Sequence, residues 1–135
     1  LYHLPAVPVS PRGDREIASA SQASIEDGCR VGYAITDWRL HLTHDSDLLA
    51  INQCFLQRDG EHSILSTLPD TVTVVPPVRI DPGVVVGPDS VVGPNTYLET
   101  GSAIGAGARL RDCVVLRGAR VAPGAERSGQ IIASA

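Results

Sequence analysis

The chain contains no Met and no Lys, and it has a single Phe and a single Trp. No His follows His62, and all eleven basic residues are Arg. Each absence excludes something. Without Lys there is neither a phosphate-loop lysine nor a Schiff-base lysine. An aromatic content of 4% means that any core is built from aliphatic side chains. A net charge of −4 argues against a nucleic-acid partner or an anionic membrane surface. No apolar run approaches a membrane span, and no charged-then-apolar signal segment opens the chain. Cys29, Cys54 and Cys113 are odd in number and far apart, without metal-like or redox spacing. They read as free thiols, and a reducing, cytoplasmic location is the expectation. The missing Met at position 1 predicts a chain cut from something longer.

What is present is a period of six. Leu68, Val74, Ile80, Val86, Val92, Leu98, Ile104, Leu110 and Leu116 form an unbroken series of large aliphatics. This spacing fits neither the 3.6 of a helix nor the two of a free strand. It is the period of a chain that turns a corner every six residues, with one aliphatic pointing inward per short strand. Pro76, Pro82, Pro88 and Pro94 fall two residues after an aliphatic, and Gly87, Gly93 and Gly105 directly after one. Both residue types suit corners. Val72, Val78, Val84, Ser90, Thr96, Ser102, Ala108 and Val114, two residues before each aliphatic, are small or β-branched and fit an inner corner.

The hexads resemble the repeat of the left-handed parallel β-helix, in which three hexads make one triangular coil. Residues 74–127 then supply about three coils at the strand spacing of about 4.8 Å. The implied columns are Val74/Val92/Leu110, Ile80/Leu98/Leu116 and Val86/Ile104/Ala122.

The first sixty residues read differently. Residues 1–13 carry three prolines and form an irregular lead-in. Arg15 to Asp27 suits a helix stopping at Gly28, and Cys29 to Ile35 alternates like a strand, as does Trp38 to Leu42. Asp45 to Gln57 is an amphipathic helix, with Asp45 and Asp47 at its positive end and Thr43 or Asp45 as its cap. So few strands do not make a sheet of their own. The expectation is a mainly β chain: residues 1–60 the tail of an α/β domain, residues 61–135 the left-handed β-helix.

Three segments carry a family resemblance. GDREIASASQASIEDGCRV, WRLHLTHDSDLLAIN and the closing RLRDCVVLRGARVAPGA, in that order, resemble the long-form sugar-phosphate nucleotidyltransferases. Glucose-1-phosphate thymidylyltransferase and mannose-1-phosphate guanylyltransferase are the types meant. The resemblance implies transfer of a nucleotidyl group onto a sugar 1-phosphate, with Mg²⁺, by an N-terminal half that this sequence does not include. It also places His41 where the family has an aspartate holding Mg²⁺. Imidazole is a poor substitute for a hard oxygen ligand. Gly105-Ala106-Gly107-Ala108-Arg109-Leu110 echoes a phosphate loop but lies in phase with the hexads.

No catalytic or metal-ligating residue is assigned in this chain, and no cofactor of its own. The coils lack the His that β-helix acyltransferases and γ-class carbonic anhydrases require. Arg109, Arg111, Arg117 and Arg120, with Arg127, are the candidates for an anion or effector contact or for a subunit contact. Val85, Val91, Tyr97, Ala103, Val115 and Val121 adjoin the inward column and suggest an apolar strip on the outside. A homo-oligomer through the coils, dimer or trimer, is expected, as the assembly or regulatory part of a nucleotidyltransferase-like protein. A noncatalytic scaffold with a decayed nucleotidyltransferase portion is the alternative.

Overall fold

The computed structural model describes residues 4–36, 39–59 and 63–134. They fall into two compact units, divided between Arg39 and Leu40, whereas the sequence suggested a boundary at 60/61. In the first unit a 3-10 turn, Leu4–Ala6, contacts helix α1, Ile17–Glu26. Arg15 Nε donates to Val7 O at 2.9 Å, and α1 ends before Gly28, whose φ of +78° turns the chain away. The strand expected over Cys29–Ile35 is absent. That segment is exposed, with Tyr33 and Ile35 each 90% accessible, and the described residues of its own unit include no strand to pair with it. Residues 39–42 are not a strand either, and Trp38 lies outside the described residues.

In the second unit, helix α2 (Asp45–Asp59) precedes twelve short strands. These are β1 (Ser63–Ile64), β2 (Thr73–Val74), β3 (Val78–Ile80), β4 (Val85–Val86), β5 (Val91–Val92) and β6 (Thr96–Leu98). They continue as β7 (Ala103–Ile104), β8 (Arg109–Arg111), β9 (Val114–Val115), β10 (Arg120–Val121), β11 (Glu126–Ser128) and β12 (Ile131–Ile132). Every pairing is parallel, between strands about one coil apart. Three flat faces result: β1-β3-β6-β9-β12 (face A), β2-β5-β8-β11 (face B) and β4-β7-β10 (face C). The chain is a parallel β-solenoid of about four turns.

Its interior is the aliphatic series. Ile80, Val86, Val92, Leu98, Ile104 and Leu110 are buried, while Leu68 and Val74 at the open N-terminal end are half-buried. Side chains in the narrow corners are small: Ser90, Thr96, Ser102, Ala108 and Ala119 are inaccessible to solvent. Gly87 and Gly105 lie against the next coil's backbone. A Cβ at Gly87 would collide with Ala106, and one at Gly105 with Pro123. Ser90 Oγ donates to Gly105 O at 3.0 Å across the coils.

The six-residue phase slips between Leu110 and Val115 and again between Arg127 and Ile132, where the inward spacing is five. Ile80 pairs with Leu98 eighteen residues on, but Leu98 pairs with Val115, seventeen on. The interior columns are therefore Ile64/Ile80/Leu98/Val115/Ile132, Val74/Val92/Leu110/Arg127 and Val86/Ile104/Val121. Leu116 and Ala122 are not core residues, contrary to the strict hexad. Val115 and Val121 point in rather than out, and Cys113 replaces Val114 at the inner corner. The reason is electrostatic. An unbroken phase would set Arg120 and Glu126 into inner corners, where an uncompensated charge costs several kcal/mol. The slip puts Ala119 and Ala125 there instead. The loss from Leu116 to Val115 is one methylene, about 0.8 kcal/mol.

Helix α2 covers face A from the side; it does not cap the N-terminal end. Fifteen residues make a rod of about 22 Å, against about 19 Å for five strands. Its own Leu56 is buried. Asn52 Nδ2 donates to Asn95 O at 3.4 Å, and Gln53 Nε2 to Asp112 Oδ1 at 3.2 Å. Asn95 and Asp112 occupy equivalent corners with φ of +53° and +52°, a conformation Asn and Asp tolerate better than most residues. Asn95 Nδ2 also donates to Asp112 Oδ1, at 2.8 Å. The N-terminal cap of α2 is neither Thr43 nor Asp45. Asp47 Oδ2 reaches back to accept from the backbone N–H of His44 and of Thr43, each at 2.8 Å. Ile131–Ile132 adds to face A as β12.

Candidate functional site

Two surfaces of the coil unit combine shape with chemistry. The first is a groove of ≈ 430 Å³ between α2 and face A, lined by Leu48, Ile51, Phe55, Val114 and Leu116 among others. The slip supplies two of these: with Val115 inward, Val114 and Leu116 line the groove. Its polar end is built on Asp81. Arg79 Nε stands 3.0 Å from Asp81 Oδ1, Tyr97 OH donates to Oδ2 at 2.7 Å, and Ser66 Oγ donates to the Asp81 carbonyl at 2.7 Å. Burial pushes the Tyr97 phenol up to about 12, helped by its hydrogen bond to the Asp81 carboxylate. Tyr97 is thus a donor that orients Asp81.

The second surface is a shallow depression of ≈ 350 Å³ on face B, lined by Val91, Gly93, Arg109, Leu110, Arg111, Glu126, Arg127 and Ser128. Arg109 and Arg111 flank the inward Leu110 on β8, so both point outward. The register sets Glu126 beside Arg109 and Ser128 beside Arg111. Arg109 Nε lies 3.9 Å from Glu126 Oε1, and Arg111 Nε 3.1 Å from Asp112 Oδ2. Arg127 falls on an interior column at the C-terminal end of the solenoid, where it stays exposed and donates to Glu126 O at 2.9 Å. A charge there disfavours further stacking of strands.

The other two arginines of the expected cluster lie elsewhere. Arg117 Nε is 3.5 Å from Glu99 Oε1, and its backbone N–H donates to Glu99 Oε2 at 2.9 Å. Arg120 is exposed on face C. Four arginines close in sequence are therefore divided among three places. Sequence reasoning missed Gly93 and Ser128 as neighbours of Arg111. Adding eighteen residues to 93 finds Arg111, whereas Ser128 lies seventeen beyond 111 and is found only once the slip is known.

His41 is exposed beside the start of α2. The nearby carboxylate of Asp47 is held below the usual range, first by its hydrogen bond from the His44 N–H and then by that from Thr43. Committed to the helix end, it is a poor oxygen ligand, and an imidazole is no better; this donor set does not fit Mg²⁺. Among the described residues no group of three His, Cys, Asp or Glu is placed to hold a metal ion. The segment from Gly105 to Leu110 is a solenoid corner running into β8, with no helix after it. Cys29, Cys54 and Cys113 are free thiols. No helix among the described residues is long and apolar enough to cross a membrane.

A parallel solenoid of hexapeptide-type coils, carrying a lateral helix and no built catalytic cluster among the described residues, defines the class. Residues 74–135 match the family model described as the GMPPB C-terminal domain, the C-terminal region of mannose-1-phosphate guanylyltransferase beta. This region of the chain is GDP-mannose pyrophosphorylase-like. No curated protein and no solved structure matches the chain.

Proposed function

We propose that the coil unit is the assembly and regulatory portion of a sugar-1-phosphate nucleotidyltransferase-like protein, with guanylyl transfer onto mannose 1-phosphate as the parent activity. The observation that carries this reading is the family match over residues 74–135. The chain contributes contact surface rather than chemistry. Face A is occupied by α2, so the contact falls to face C, where Val85 is 65% exposed. A symmetric dimer or trimer of the coils buries this position. The alternative, a scaffold or regulatory subunit with a decayed nucleotidyltransferase portion, draws support from His41 and from the absence of Lys.

Light scattering of the chain at micromolar concentration tests assembly. A discrete dimer or trimer is expected, and a monomer unchanged by salt overturns the reading. A pyrophosphate-release assay with GTP, mannose 1-phosphate and Mg²⁺ tests the rest. Release by the pure chain would make it an enzyme in its own right.

A further inference from the structure

We infer that the depression on face B is a binding site for a small phosphate-bearing anion, held by the forked guanidinium edges of Arg109 and Arg111 with the Ser128 hydroxyl beside them. This inference stands apart from the assembly reading and does not require it.

Several observations converge. Arg109 and Arg111 lie two residues apart on one strand, a separation of about 6.6 Å, within which two long side chains can converge on a single phosphate. Their carboxylate partners, Glu126 and Asp112, are both met through Nε. The Nη edge, which forks onto phosphate oxygens, is left for a ligand. The Glu126 contact, at 3.9 Å, is too long for a hydrogen bond and is readily displaced. Beside Arg111 on the neighbouring strands are Gly93, which a Cβ would drive into Val75 of the preceding coil, and Ser128, whose hydroxyl can donate. The floor is the Val91 side chain and the Leu110 backbone, rigid because β8 is paired on both sides.

Face B is also locally basic in a chain of net charge −4. Its outward positions on earlier coils, Thr73 and Val91, are uncharged, so the cationic character is confined to β8 and β11. Neither Arg117 nor Arg120 shares the site. The first is tied to Glu99, and the second projects from another face.

The ligand chemistry is a phosphate or diphosphate group, from free pyrophosphate or from a nucleoside diphosphate. The test is a titration of the full chain at low salt, followed by amide NMR, with inorganic pyrophosphate in one arm and guanosine diphosphate in the other. Saturable shifts centred on Gly93, Arg111 and Ser128 are expected. Tighter binding of the diphosphate nucleoside assigns the apolar floor to its base, and equal binding assigns the site to the phosphates alone; both uphold the site. Arg111→Gln should weaken binding about tenfold or more, the loss of one charge-assisted contact. Arg120→Gln, equally exposed but on face C, should change it less than about twofold. Thermal unfolding of both variants checks that each is folded. Equal weakening by the two substitutions, or shifts without saturation, would reduce the effect to general attraction by surface charge and overturn the proposal. Light scattering of the same samples separates this outcome from any change in assembly.

Discussion

Residues 29–36 and the solenoid strands are built from similar material. Val31, Tyr33 and Ile35 alternate with small or polar residues, as Val78 and Ile80 alternate with Arg79. Yet Tyr33 and Ile35 are almost wholly exposed, whereas Val78 and Ile80 are inaccessible. The difference is the supply of partners. Each solenoid strand finds a parallel neighbour one coil away in its own chain, which takes its backbone hydrogen bonds and closes the column above its side chain. Residues 29–36 have no repeat, so their alternation meets no sheet within the unit. Strand propensity is thus a fit to a neighbouring surface, and repetition provides that surface.

The sharpest way to break this comparison is to place a carboxylate in each region. Leu98→Asp puts an unpaired charge between Ile80 and Val115 and should cost more than about 4 kcal/mol, enough to unfold the coils. Tyr33→Asp should lie within about 0.5 kcal/mol of the parent. Urea unfolding of the two variants measures both. Comparable losses would mean that residues 29–36 are packed after all.

A second pair tests the slip within the solenoid. Val115→Asp should destabilise nearly as much as Leu98→Asp, while Leu116→Gln, at the groove, should cost about 1 kcal/mol. The reverse order would restore the unbroken hexad phase.

Smaller effects sharpen how α2 and face A are held. Tyr97→Phe removes the donor to Asp81 and should cost about 1–2 kcal/mol at neutral pH. Because folding raises the Tyr97 phenol from 10.0 to about 12, the stability linked to it is complete below pH 10 and is lost as pH rises from 10 through 12. The parent should therefore lose more stability than the Tyr97→Phe variant over that interval, as followed by chemical denaturation. Gln53→Ala removes one tie between α2 and the Asp112 corner. A loss of about 0.5–1.5 kcal/mol is expected, with faster amide exchange in α2 and none in β3–β8. The smallest effect belongs to Asp47. Its depressed carboxyl contributes stability that is present above pH 3.8 and lost as pH falls through the lowered value. Asp47→Asn should flatten that acid limb without altering the unfolding midpoint of the coils by more than a degree or two.

The slip shows how much of the solenoid was legible. Six of the nine aliphatics sit in the buried core, because a six-residue period has few other physical meanings. Beyond Leu110 the aliphatics alone were ambiguous, since Val114, Val115 and Leu116 are consecutive. The inner-corner positions would have resolved it. Carrying that series past Val114 meets Arg120 and Glu126, which no narrow corner accepts, whereas one residue earlier it meets Ala119 and Ala125. For the candidate sites less was legible. Arg109, Arg111, Arg117 and Arg120 looked like one cluster, but corners every six residues send near neighbours to different faces. Only addition of a whole coil brings residues together, as it does Gly93, Arg111 and Ser128.

By itself the sequence determined the solenoid, its aliphatic interior and both helices, because repetition, corner residues and helix periodicity are local signals that recur along the chain. Tertiary structure alone decided three things: which face α2 covers, that residues 29–35 form no strand, and which arginines share a surface. Each depends on what stands opposite a residue in space. That is fixed by coil length and strand register, and a single missing residue between Leu110 and Val115 is enough to change it.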